Sequence, residues 1–252
     1  MIKACIHMSA NIDIISNNIF DNREVSFADA VKTFLVNTET AKFAIGYFYL
    51  DGFNRVKNDL QDVEKVQILM GDETTLETEK EIKEGYAERG RRKALLMYIK
   101  ECLMRDIARI EDEYQRKRVK DLHDLIAEKR IDVKLYIDGK FHLKLYLFNG
   151  EEKIGMVGSS NFTKPGLIEN VELNLVERSS TVVCELETWF DLRWEKAEEF
   201  REDLIQIIDL SGILDGLGKG EFVYVLSIFE ISEERQGSVI REFRRIEEVL
   251  GK

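Results

Sequence analysis

The sequence predicts an α/β fold: a mixed sheet flanked by helices, with extra long helices inserted and at the carboxyl terminus. Three observations carry this. An amphipathic segment is followed by apolar run, short helix and apolar run between residues 26 and 70. Alternating strand-like segments fill residues 132–176, and between the two regions lies a charged, proline-free stretch with apolar residues at helical spacing. Strand, helix, strand in sequence is the pattern of a parallel unit, because parallel neighbours need a crossover connection.

The elements follow in order. In residues 26–35 (SFADAVKTFL), Phe27, Ala30, Val31, Phe34 and Leu35 share one face at three-four spacing, and Ser26 is placed to cap the helix. Residues 41–50 (AKFAIGYFYL) are nearly all apolar and of a length that suits a buried strand. A short helix over 53–60 leads to a second buried strand, 65–70 (KVQILM), ended by Gly71 and Asp72.

Residues 77–129 read as two or three long helices with a break near Gly85 to Gly90. Ala94, Leu95, Met97, Tyr98, Cys102, Leu122, Leu125 and Ile126 supply their apolar spacing. Two basic clusters fall here: Arg89, Arg91, Arg92 and Lys93, then Arg116, Lys117, Arg118 and Lys120. A solvated helix face accounts for such clusters. The functional alternative is a rim that tracks a phosphate backbone.

From residue 132 the period changes to two. Residues 132–137 (DVKLYI) and 141–148 (FHLKLYLF) alternate, with turn signals at Asp138-Gly139 and Asn149-Gly150. Residues 154–157 lead into a Gly-Ser-Ser-Asn loop, and 172–176 (ELNLV) is the next strand. Beyond Val182 the chain is helical. Trp189, Phe190 and Trp194 sit at a spacing that suits core or interface better than base stacking. Residues 222–231 and 239–250 read as closing helices.

The chain has 252 residues, 44% hydrophobic and 34% charged, which supports a globular core under a well-solvated surface. Its net charge of −11 makes it a poor nonspecific polyanion binder, so any phosphate site must be a local basic patch. Cys5, Cys102 and Cys184 are far apart and show no metal-ligand spacing, which fits reduced thiols in a cytoplasmic protein. No stretch approaches the roughly 18 apolar residues of a membrane span, and the start has no secretory pattern, so no membrane association is expected.

One constellation carries chemistry. His142 and Lys144 lie two apart on an alternating strand and so share a face, while Phe141, Leu143 and Leu145 point the other way. An imidazole beside an ammonium is a poor core face and a good anion site. In the loop Gly158-Ser159-Ser160-Asn161, the glycine permits close backbone approach and Ser159 and Asn161 offer neutral donors. Asn161 is also placed to begin a helix, whose amino terminus favours anions. Glu172 opens the next strand, where its carboxylate can hold one nitrogen of His142 and set the tautomer. His7 and His123 have no such company. His7 reads as structural, and His123, in a charged helix, as a surface residue.

His142-x-Lys144, Gly158-Ser159-x-Asn161 and Asn170-x-Glu172 together resemble the signature of the phospholipase D superfamily. The segment GSSNFTKPGLIENVELNL is similar over its whole length to single-copy nucleases of that superfamily and to amino-terminal domains attached to some helicases. AIGYFYLDGF, ILMG and WFDLRW are similar more loosely. One position departs: Asn149 stands where many members place Asp, five positions after the motif lysine. In part of the nuclease branch a later Glu takes that role, and Glu172 fits this variant.

The resemblance implies a phospholipase D-like catalytic domain over residues 1–180, with a helical insertion at about 77–130, and a helical extension over 181–252 packed on it. It implies phosphodiester cleavage without metal or cofactor. His142 attacks phosphorus to form a phosphohistidine. A second histidine protonates the leaving oxygen and then activates water. Lys144, Ser159 and Asn161 bind the phosphate and stabilise the charge of the transition state, and Glu172 orients His142.

The chemistry needs two histidines and the chain carries one motif, so a symmetric homodimer is expected. No basic amphipathic helix of the interfacial kind is visible. Nucleic acid, DNA or RNA, is therefore the expected partner, with Arg91, Arg92, Lys93, Arg116, Lys117 and Arg118 as possible contacts. The competing class is a noncatalytic nucleic-acid-binding and dimerisation module beside a helicase or restriction subunit. The chain has no P-loop and hence no motor of its own. A lipid or small-diester phosphodiesterase is a third reading.

Overall fold

A computed structural model of the chain describes residues 16–23, 25–46, 50–60, 62–71, 99, 103, 107, 110, 113–137, 142–163 and 165–215. The strands are β1 (Ile19–Asp21), β2 (Thr38–Ile45), β3 (Lys65–Met70), β4 (Ile131–Leu135), β5 (Lys144–Gly150), β6 (Lys153–Gly158), β7 (Leu173–Glu177) and β8 (Glu198–Glu199). The helices are α1 (Phe27–Leu35), α2 (Leu50–Leu60), α3 (Glu113–Ala127), α4 (Ser180–Lys196) and α5 (Arg201–Leu210), and a short π-turn spans Pro165–Glu169.

The strands form one mixed sheet in the order β1-β7-β6-β5-β2-β3-β4-β8. β2, β3 and β4 are parallel, and the remaining pairs are antiparallel. This is the mixed sheet flanked by helices that the sequence predicts, with the parallel unit made by β2, α2 and β3.

Side-chain alternation along the strands divides the core into two layers. On one face α1, α2, α3 and α5 bury Phe27, Val31, Phe53, Val56, Leu122, Ile126, Leu204 and Ile208 against Phe43, Ile68, Val133, Tyr146 and Phe148. Each such side chain contributes on the order of 1.5–3 kcal/mol of burial free energy. On the other face α4 places Val183 and Phe190 on Ala44, Leu69, Leu145 and Leu147, with Trp189 and Trp194 packed at the margin. Ser26 caps α1, its hydroxyl accepting from the Asp29 backbone N–H at 3.1 Å. Among the described residues no helix is long and apolar enough to cross a membrane.

Several boundaries differ from the sequence reading. The first core strand runs from Thr38 to Ile45 rather than over 41–50, and Leu50 already begins α2. A continuous apolar run does not tell a strand from the start of a buried helix. β5 begins at Lys144, so His142 precedes the strand. Asn149-Gly150 ends that strand, and the chain turns at Glu151 and Glu152. Gly150, at the reversal between β5 and β6, also serves close approach: a Cβ there would collide with the Asn37 carbonyl at the start of β2. β4 and β5 are separated in the sheet by β2 and β3, and the turn signal at Asp138-Gly139 lies outside the described residues.

Within residues 77–130 α3 is a helix as predicted, and Ile99, Leu103 and Ile107, four apart, are helical and buried. His123 is no free surface group. Its ring bridges α3 to α5 through Asp209, at 3.1 Å, and its side chain is 19% exposed. The expected break near Gly85–Gly90, the 89–93 basic cluster, His7 and the closing helices lie outside the described residues.

Candidate active site

Three adjacent strands meet at one edge of the sheet. β5 begins there, β6 ends there and β7 begins there: Lys144 pairs with Gly158, and Gly158 with Asn174. The segments His142–Lys144, Ser159–Asn161 and Glu172 are thereby brought to one place from well-separated stretches of the chain.

Each side chain has an identifiable cause for its position. Lys144 points to the face shared by Tyr146 and Phe148 and is only 6% exposed. Its Nζ donates to the backbone carbonyl of His142 at 3.0 Å. A buried ammonium is costly unless its donors are satisfied, so this contact ties the cation to the residue two positions before it. His142 itself is exposed. Strand alternation does not set its direction, because it stands just ahead of the strand.

Ser159 links the loop to β7. Its backbone N–H donates to the Leu173 carbonyl at 3.1 Å and its Oγ accepts from the Leu173 N–H at 3.1 Å. The same hydroxyl donates to Glu172 Oε2. Asn170 Nδ2 reaches Glu172 Oε1 at 3.3 Å. Glu172 is thus held by Ser159 and Asn170 from both sides. Gly158 is required by this packing: a Cβ would strike the Leu173 carbonyl and the Asn174 side chain.

Asn161 does not begin a helix. Its carbonyl accepts from Thr163 N–H at 2.8 Å, and the helical turn that follows is the π-turn from Pro165 to Glu169. Proline at its first position suits a turn start, having no N–H to leave unpaired.

Three residues that sequence reasoning passed over hold this loop. Ser160 and Asn174 are buried and paired: Asn174 Nδ2 donates to Ser160 Oγ at 2.8 Å, and Ser160 N–H reaches Asn174 Oδ1 at 3.4 Å. Tyr146 donates from beneath to the Ser160 carbonyl at 2.8 Å. A signal for Asn174 exists, since within β7 it is the polar residue at an inward position, between the exposed Leu173 and Leu175. Asn22 adds a fourth tie, its Nδ2 donating to the carbonyls of Gly166 and Asn170 at 3.0 and 3.1 Å.

The family model described as "Cardiolipin synthase, PLD-like domain" matches residues 38–194, from the first residue of β2 into α4 and across His142, Lys144, Ser159, Asn161 and Glu172. The chain belongs to the phospholipase D superfamily. Among solved structures this phospholipase D-like chain is similar to NucT from Helicobacter pylori, at 16% identity over 72% of this chain and 97% of that one, with a TM-score of 0.41. It is similar to Nuc from Salmonella typhimurium, a phospholipase D family member, at 15% identity over 73% and 96%, with a TM-score of 0.43. A third likeness is to TrmBL2, an archaeal chromatin protein, at 14% identity over 78% and 60%, with a TM-score of 0.39. Among curated proteins no sequence matches.

The phospholipase D-like sequence departs from its relatives' usual pattern at Asn149, and the geometry explains how. Asn149 lies at the far end of β5 from Lys144, five residues or about 17 Å along the strand. It points to the opposite face, where its Nδ2 donates to Glu187 of α4 at 3.0 Å. Glu187 also receives Lys42 at 2.9 Å and Lys153 at 2.6 Å. The glutamate beside position 149 is therefore Glu187, and Glu172 stands at the other end of the strand. Burial pushes the Glu187 carboxyl up, but the hydrogen bonds from Lys153 and Lys42 outweigh it and leave the carboxyl below its ordinary range.

The second basic cluster is elsewhere. Arg116, Lys117, Arg118 and Lys120 lie on the first half of α3, which covers the β3–β4 part of the sheet, three strands from β5. Arg91, Arg92 and Lys93 lie outside the described residues.

Proposed function

We propose that the chain is a phosphodiesterase of the nuclease type that cleaves nucleic acid without metal, through a phosphohistidine formed at a homodimer interface. One observation carries the reading: Lys144, Ser159, Asn161 and Glu172 gather at the ends of three neighbouring strands, with an exposed imidazole, His142, two residues ahead of Lys144. A buried cation, neutral donors, a carboxylate and a nucleophile are the parts that phosphoryl transfer requires.

In this reading neutral His142 attacks phosphorus. The P–N bond forms as the P–O bond to the leaving group breaks, and a second imidazolium gives the leaving oxygen its proton. That second histidine, now neutral, removes a proton from water, whose oxygen displaces the His142 nitrogen and restores the enzyme. Lys144 and Asn161 hold the non-bridging oxygens. Ser159 exchanges its hydrogen bond to Glu172 for one to the phosphate, which leaves Glu172 to accept from an imidazole.

The second histidine comes from a second copy. The sheet margin beside the site supports this assignment, since Ile19, Leu173 and Leu175 are 58%, 62% and 52% exposed and Leu173 directly follows Glu172. Ile19 and Leu175 are cross-strand neighbours, so these side chains form one apolar patch. The experiment is hydrolysis of a chromogenic phosphodiester in EDTA. The reading requires turnover by the wild type and its loss in His142→Ala.

A further inference from the structure

Among the described residues, Lys42, Lys57, Lys65, Lys134 and Lys153 each contact an Asp or Glu. Lys117 and Lys120 contact none among the described residues. Arg116 reaches only Glu113, at 4.0 Å on the exposed helix surface. Lys117 and Lys120 are exposed, and with Arg116 they line an open cavity of about 290 Å³ together with Glu113, Tyr114, Ile213 and Leu214.

The wall is suited to a flat apolar group. Tyr114 is 63% exposed, and the Arg118 guanidinium lies over one face of its ring at 3.9 Å. That stack holds the ring where Tyr114 lines the cavity.

The position of the cavity follows from topology. Ala44 pairs with Leu145, so β5 begins where β2 ends. β2, β3 and β4 are parallel, so their carboxyl ends share the edge that carries the candidate active site. α3 ends at Ala127 and β4 begins at Ile131, which sets the last turn of α3 at the amino end of β4. The helix therefore runs back towards the active-site edge, and Glu113 to Lys120 are its leading turns. In the plane of the sheet β4, on which α3 packs, lies three strand spacings, about 14 Å, from β5.

We propose that this cavity binds a backbone phosphate of a polynucleotide substrate away from the scissile bond, with the adjoining base against Tyr114, Ile213 and Leu214. The proposal rests on the nuclease reading and specifies its substrate as a polymer rather than a small diester. That in-plane offset alone spans about four nucleotides at the rise of a duplex strand, so the two sites are at least that far apart along the polymer.

The test compares wild type with the Lys117→Gln/Lys120→Gln variant and with Lys117→Arg/Lys120→Arg. The substrates are a chromogenic phosphodiester, which is too small to span the two sites, and single-stranded DNA and RNA of about a dozen nucleotides. The glutamine variant is expected to raise KM for the oligonucleotides about tenfold with kcat unchanged, and to flatten the salt dependence of binding by about 0.7 for each phosphate it no longer neutralises. The arginine variant restores both, and chromogenic turnover stays the same throughout. Equal KM and equal salt dependence in the glutamine variant would overturn the proposal, as would equal losses on both kinds of substrate. If the wild type cleaves nothing, the nuclease reading fails, and the salt-dependent binding titration then decides this site by itself.

Discussion

Tyr146 donates its phenolic hydrogen to the Ser160 carbonyl across 2.8 Å, from the floor of the loop that carries Ser159 and Asn161. Burial, with the Glu172 charge adding to it, pushes the phenol well above its ordinary pKa of 10.0, so the group remains a donor at any working pH. Tyr146→Phe should leave the Ser160 carbonyl unsatisfied and cost about 1–2 kcal/mol of stability. Turnover should fall about tenfold through kcat, short of the hundredfold that an ångström of misplacement brings. Thermal melts and steady-state kinetics check the two effects separately. A variant with full kcat would remove Tyr146 from the positioning of the loop.

Asn149→Asp should not improve the enzyme. It would set a carboxylate where Asn149 now donates to Glu187 at 3.0 Å, on the face of β5 away from Lys144. The expected outcome is a loss of about 1–2 kcal/mol in denaturant unfolding, with kcat/KM per folded molecule unchanged. A rise in kcat/KM would show that position 149 acts on the chemistry after all.

The Glu187 network makes stability depend on pH in a defined direction. Its carboxyl lies below the ordinary value of 4.5 in the folded chain, because Lys153 and Lys42 outweigh the cost of burial. The unfolded chain therefore holds a proton on this carboxyl more tightly than the folded chain does. The contribution is present in full above pH 4.5 and is lost as pH falls through the lower folded value. The melting-temperature gap between wild type and Glu187→Gln should hold steady near neutrality and shrink in acid below pH 4.5. A gap that persists unchanged in strong acid contradicts this.

Subunit mixing addresses the shared centre. If each centre uses His142 from two copies, an excess of His142→Ala chains draws wild-type chains into mixed dimers. Activity per wild-type chain should then fall in proportion to the wild-type fraction. Activity independent of the added variant would mean that each chain is self-sufficient.

Much of this is legible in the sequence, and the reasons are local. The two-residue spacing of His142 and Lys144, the Gly-Ser-x-Asn loop and Glu172 at a strand start are short-range patterns, and the fold brings those segments to one edge. Ser26, Phe27, Phe34 and Leu35 declare α1 by capping and periodicity. What escapes is set by partners distant in sequence. Nothing near Asn149 reveals that Glu187 lies across from it. Tyr146 reads as one more aromatic in a buried strand until Ser160 is placed above it. Asn149-Gly150 does mark the reversal between β5 and β6, but nothing local shows that the Asn37 carbonyl also demands the glycine. His123 reads as exposed because its partner Asp209 belongs to another helix.

Everything turns on whether His142 cleaves phosphodiesters without a metal ion. The decisive assay is hydrolysis of single- and double-stranded DNA and RNA and of a chromogenic diester in EDTA, wild type against His142→Ala. The expected result is turnover by the wild type in EDTA and none by the variant. No turnover by either protein, with salt-sensitive nucleic-acid binding retained, would refute metal-free cleavage and leave a noncatalytic binding module in its place.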